Sequence, residues 1–117
     1  MSIVFCSGGM DMLHEGHLDY LEAAAKYGKV IVLLNSDDWL KRKKGYALQT
    51  WETRARIIRA LGYSAYEVDD SDGTVNKGLA VYAPLFTTAG QKVYFAKGGD
   101  RTAENTPEQE QCEWLGI

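Results

Sequence analysis

Short apolar runs and longer amphipathic stretches take turns along this chain. Ile3-Val4-Phe5-Cys6 is continuously apolar, as in a strand buried on both faces, and Ser7-Gly8-Gly9 ends it. From 13 to 27 the apolar positions recur at helical spacing. Leu18, Leu21, Ala24 and Ala25 supply the inward side and Gly28 a C-terminal stop. Val30-Ile31-Val32-Leu33-Leu34 is the clearest strand, rich in β-branched residues. Asn35-Ser36-Asp37-Asp38 closes it with side chains suited to capping a helical turn. The basic run Lys41-Arg42-Lys43-Lys44, ending at Gly45, reads as a loop. A second helix is predicted over 51–61, with Ile57, Ile58 and Leu61 as its apolar side and Gly62 as its stop. A third strand over 65–68, an acidic turn over 69–73 and a short helix over 75–82 follow, the last limited by Pro84. A fourth strand over 92–96 runs into Gly98-Gly99, and a polar loop over 102–107 leads to a final helix over 108–115.

Strands alternating with helices indicate an α/β fold on a mainly parallel sheet. In such sheets ligands bind beyond the carboxyl ends of the strands. That rule singles out Ser7-Gly8-Gly9-Met10-Asp11, residues 35–45, and Lys97-Gly98-Gly99-Asp100. The length of 117 residues suits a single domain over 1–117. A hydrophobic content of 45% excludes a disordered chain, and a net charge of -3 gives no global signal for nucleic acid. An anionic ligand must therefore be held by a local basic cluster. Cys6, in an apolar run, reads as a small buried hydrophobe, and its distance from Cys112 shows no metal or redox spacing. No apolar stretch approaches the roughly 20 residues that span a bilayer, and no secretory leader pattern is visible. The expectation is a soluble cytoplasmic protein.

The first loop leads into His14-Glu15-Gly16-His17. With a helix beginning near Leu13, the two imidazoles lie three residues apart on one face of its first turn. Gly16 lets another group approach the backbone closely, and the helix start favours an anion. A glycine loop, a helix start and paired imidazoles together suit a phosphate chain. The competing readings are a metal pair, for which the usual spacing is four and no third ligand is evident, and a purely structural pair. Lys41 to Lys44 read blandly as a solvated surface, and by position as a phosphate clamp. Arg54 alone reads as a surface helix residue. Gly98-Gly99-Asp100 reads as a plain turn or as a backbone contact for a nucleotide.

Gly8-x-x-Asp11-x-x-His14-x-Gly16-His17 resembles the extended signature of the cytidylyltransferase-like nucleotidyltransferases. Asn35-Ser36-Asp37, Lys41-Arg42-x-Lys44-Gly45, Glu52-x-Arg54 and Lys97-Gly98-Gly99-Asp100 resemble, in order, the adenylyltransferase domain of bacterial ADP-heptose synthases. The resemblance implies a Rossmann-like three-layer sandwich and transfer of a nucleotidyl group to a phosphate oxygen. It implies catalytic roles for His14, His17 and Lys44. It also implies nucleotide contacts from Ser7, Gly8, Gly9, Met10, Asp11, Gly16, Lys41, Arg54, Lys97, Gly98, Gly99 and Asp100, with Asp11 beside the reacting groups. Mg²⁺ is expected to accompany the triphosphate, with no protein metal ligand assigned. A homodimer is expected, since members of the family often pair.

The sequence departs from the family pattern at Met10, where Phe is usual, and at Lys29, where an acidic residue is common. It also ends at Ile117, before the family's further strand and Ser/Thr-rich segment; Thr87-Thr88 does not replace that segment. Truncation, a minimal natural form and completion by a second copy all account for this. Three functions remain open from the sequence: adenylyl transfer to a sugar phosphate, which the motifs favour; cytidylyl transfer to glycerol phosphate or a similar alcohol phosphate; and a nucleotide-binding module without catalysis.

Overall fold

The two longest apolar runs have no polar face, and the fold covers them on both sides. The computed structural model describes residues 2–96. In chain order the elements are β1 (Ser2–Gly8), α1 (Glu15–Ala25), β2 (Lys29–Leu34), α2 (Asp37–Lys44), α3 (Trp51–Ala60), β3 (Ser64–Glu67), α4 (Asn76–Thr87) and β4 (Lys92–Phe95). All strand pairs are parallel, in the order β3-β2-β1-β4. Alternate side chains of the central strands feed two separate cores. Val4, Cys6, Val30, Val32 and Leu34 meet Leu21 and Ala24 of α1 and Ala55 and Ile58 of α3. Ile3, Phe5, Ile31 and Leu33 meet Leu79 and Ala83 of α4 on the other face. The result is the expected three-layer, Rossmann-like α/β arrangement.

Several boundaries differ from the sequence reading. The basic run is not a loop: Lys41 to Lys44 form the last turn of α2. The Ser36 hydroxyl caps that helix by accepting from the Trp39 amide at 3.0 Å, Asp37 and Asp38 occupy its first turn, and Gly45 ends it in the left-handed region. Acidic start and basic end both complement the helix dipole, which favours the helix despite its single buried residue, Leu40. Helix α4 runs through Pro84 to Thr87. The carbonyl that Pro84 leaves without its usual helical donor belongs to Ala80, an exposed residue that water reaches. Helix α1 starts at Glu15 with His14 as its cap, and Ala24 rather than Ala25 faces the core. On α3 the buried side is Arg54, Ala55 and Ile58, and Leu61 is exposed. The polar loop and final helix expected over 102–115 lie outside the described residues.

Strand β3 is short and sits at one edge of the sheet. Its backbone is met from both layers. Arg59 of α3 donates from Nη2 to the Ala65 carbonyl at 2.8 Å, and the Tyr82 hydroxyl of α4 donates to the Glu67 carbonyl at 2.6 Å.

Candidate active site

The histidines build their own helix start. His14 is the N-cap of α1; its Nδ1 accepts from the Gly16 amide at 3.0 Å. Nδ1 of His17, three residues on, accepts from the His14 amide at 3.2 Å. The two bonds form a reciprocal capping box in which imidazoles replace the usual hydroxyl and carboxylate. The rings stack with centroids 4.0 Å apart. An imidazole nitrogen that accepts from an amide carries no proton, so the ring hydrogen of each histidine sits on Nε2. Neither Nε2 has a protein partner among the described residues. Burial, and then the charge of His14, hold the His17 pKa below its ordinary 6.5. At neutral pH His17 is therefore a neutral donor, presented beside the end of β1.

Gly16 serves this arrangement differently from the expectation. Its amide is occupied by the His14 ring, and a Cβ on it would lie 2.9 Å from Cε1 of that ring. The group approaching Gly16 closely is thus its neighbour's imidazole. The His17 amide also bonds internally, to the His14 carbonyl at 3.0 Å. These two amides are therefore not open to an anion. Gly9 admits a different neighbour: a Cβ there would come within 2.5 Å of Leu40 Cδ2, so its small size lets α2 pack on the loop. Ser7 and Gly8 belong to β1, and Met10 is buried in the core at a φ of 52°.

Asp11 is engaged by the chain itself. Its carboxylate accepts from the Leu48 amide at 2.6 Å and the Gln49 amide at 2.9 Å, and its side chain is fully buried. Lys44 Nζ donates to the Asp11 carbonyl at 2.6 Å, stands 3.5 Å from its carboxylate and lies over the Tyr46 ring. Asp11 therefore joins the first loop to the α2–α3 connection and brings Lys44 to that junction. The lysine side chain is one-third exposed and within reach of an incoming anion. Lys41 is exposed. Arg42 donates to the Asp70 carbonyl at 2.9 Å, and Lys43 lies over Trp39.

Arg54 is not a surface residue: it has 0% exposure. Its guanidinium donates to the carbonyls of Gly9, Asn35 and Gln49 and pairs with Asp37 at 2.6 Å. It ties together the segments that follow β1 and β2 and the approach to α3, and so shapes the site from beneath. Asp70 is a further buried anchor that the sequence did not single out. Its carboxylate accepts from Asn35 Nδ2, the Ser36 amide and the Ser36 hydroxyl, closing the turn after β2. Tyr20, also missed, accepts from the Ser7 amide at 3.3 Å and donates to the Ala96 carbonyl at 2.7 Å. Neither residue belongs to a sequence motif, so only the fold reveals them.

Lys97, Gly98, Gly99 and Asp100 lie outside the described residues. Among the described residues no cluster of three or more His, Cys, Asp or Glu side chains is arranged to hold a metal. A cavity of about 390 Å³ opens between the end of β3 and α4, lined by residues including Glu67, Asp69, Lys77 and Tyr82. It contains none of the motif residues.

Glycine loop and paired imidazoles follow β1 along the chain, Lys44 is tethered to Asp11 between them, and a family comparison accounts for the combination. The family model for cytidylyltransferase-like proteins matches residues 5–114. The chain belongs to the cytidylyltransferase-like family. It is a nucleotidyltransferase domain. Among curated relatives of this cytidylyltransferase-like domain, a protein named Bifunctional protein HldE from Pelobacter propionicus is 38% identical over 117 residues, covering 97% of this chain and 22% of the relative. A protein of the same name from Haemophilus influenzae is 33% identical over 111 residues, covering 84% of this chain and 23% of the relative. The chain thus spans less than a quarter of the length of these relatives. A solved lipopolysaccharide core biosynthesis protein from Thermoplasma volcanium superposes with a TM-score of 0.63 at 19% identity, over 86% of this chain and 99% of that one. That likeness supports the fold.

Proposed function

We propose that this domain transfers AMP from ATP to the phosphate of a phosphorylated sugar and releases pyrophosphate. The observation that carries the reading is the histidine capping box, which leaves two Nε2–H donors beside the glycine loop. A phosphate acceptor is already ionised near neutral pH, so the reaction needs no strong base. An acceptor oxygen attacks the α-phosphorus, a new P–O bond forms, and the bond to the β-phosphate oxygen breaks with its electrons leaving on pyrophosphate. Charge grows on oxygens around the α-phosphorus, where imidazole N–H donors and Lys44 offset it. Alignment of two mutually repelling anions is the remaining task. Lys41, Lys44 and the Lys97-Gly98-Gly99-Asp100 segment serve it in this reading, and Arg54 and Asp11 hold the loops. Mg²⁺ would accompany the triphosphate and would offset part of its charge; the Asp11 carboxylate is already committed to two backbone amides and Lys44.

The preference for ATP and a sugar phosphate rests on the motif resemblance and on the relatives named HldE. A cytoplasmic homodimer completes the proposal; no described helix is long and apolar enough to cross a membrane. The test is pyrophosphate release with ATP and with CTP against a panel of phosphorylated sugars and alcohols, with Mg²⁺ present. Acceptor-dependent release with ATP that falls roughly 10²–10³-fold in His17→Ala supports the reading. Preferential turnover of CTP with glycerol phosphate replaces it with the alternative substrate pair. Nucleotide binding with no release from any pair makes the domain a binding module.

A further inference from the structure

The decisive place is where β1 and β4 part. Their ladder runs from Ser2↔Lys92 to Phe5↔Phe95 and closes with the bond from the Ala96 amide to the Phe5 carbonyl at 2.9 Å. In a parallel ladder the next bond would run from the Ser7 amide to the Ala96 carbonyl. Those are the two groups that the Tyr20 hydroxyl takes, accepting from Ser7 at 3.3 Å and donating to Ala96 at 2.7 Å. One hydroxyl is therefore inserted in place of a rung. It holds the strand ends apart while leaving neither polar group unpaired. Tyr20 stands three residues after His17, on the same face of α1.

The position matters because of the strand order. β2 lies on one side of β1 and β4 on the other, so the chain changes direction across the β1–β4 gap, where a ligand-binding crevice opens in folds of this kind. Resting on the transferase reading above, we infer that Tyr20 is a positioning residue for the nucleotide, a spacer that sets the width of this crevice. Its two partners are the groups at which the strands flanking the crevice part, and Ser7 leads directly into the glycine loop. Tyr20→Phe keeps the ring and removes the spacer's polar atom. Ser7 N–H and Ala96 C=O then close onto each other or recruit water, and the crevice changes width.

The experiment compares the full chain with its Tyr20→Phe and Ile58→Val variants. Ile58 is fully buried between α3 and the sheet, so its truncation lowers stability without touching the crevice. Binding of non-hydrolysable ATP and CTP analogues is measured by calorimetry, alongside KM and kcat. Tyr20→Phe is expected to raise the Kd and KM for the nucleotide roughly tenfold because the crevice loses its set width, with the saturated kcat and acceptor KM little changed. Ile58→Val is expected to bind as the parent does. Unchanged nucleotide affinity in Tyr20→Phe, or an equal change in Ile58→Val, overturns the inference while leaving the transferase reading in place. A parent chain that binds neither analogue overturns both.

Discussion

At the scale of single residues, the two histidines are both the cap of a helix and the donors of a site, so protonation sets one role against the other. A proton on Nδ1 of His17 would face the His14 amide and break the cap. The sign of the pH effect follows from the lowered pKa. Below 6.5 the unfolded chain binds a proton that the folded chain resists. The His17 contribution to stability is therefore complete above pH 6.5 and is lost as pH falls through the lower folded value. Urea midpoints measured from pH 7.5 down to 5 are expected to show this decline, and His17→Gln is expected to flatten it, since glutamine keeps an acceptor at the same capping position and does not titrate. Arg54 supports a second expectation. Removing it leaves Asp37 and the carbonyls of Gly9, Asn35 and Gln49 without their shared donor. Arg54→Met should cost at least roughly 1–3 kcal/mol, the penalty for a buried acceptor left without a donor, and Arg54→Lys should recover little because an ammonium lacks the planar fork. Chemical denaturation measures both. The histidine tetrad was legible in the sequence because its meaning lies in four adjacent positions. Arg54, Asp70 and Tyr20 reach partners as far as 45, 35 and 76 positions away, a distance at which side-chain identity alone carries no address.

At the scale of elements, the sheet was legible and α2 was not. Strands with both faces buried must be apolar at every position, which leaves a run that cannot be mistaken. Helix α2 buries only Leu40, and its stability comes from its ends. The Ser36 hydroxyl accepts from Trp39 and donates to Asp70 Oδ1 at 2.7 Å, so one side chain both starts the helix and fastens it to the turn after β3. Ser36→Ala is expected to lose about 1–2 kcal/mol, the upper part of the range for an N-cap. A smaller loss in a background of Asp70→Ala would show by double-mutant cycle that the two act together. Pro84 misled for a related reason: a proline is a poor stop where the carbonyl it orphans belongs to a surface residue.

At the scale of the whole molecule, the two cores meet through the sheet, and Cys6 lies fully buried within it. Burial pushes its thiol up to about 11 even though Tyr20 hydrogen-bonding acts in the opposite direction. In a Cys112→Ser background, a thiol reagent at pH 8 is expected to label Cys6 only through opening of the fold. The labelling rate should then rise with urea in parallel with global unfolding. Rapid labelling of the native chain would mean that the β1 core breathes locally. The edge at β3 bears on how such domains associate. A bare strand edge is a template on which another chain can crystallise its own backbone, row by row. Here an arginine from one helical layer and a tyrosine from the other already occupy the Ala65 and Glu67 carbonyls. The sheet is hemmed on that side, and a second copy that pairs its backbone across β3 must first displace both bonds.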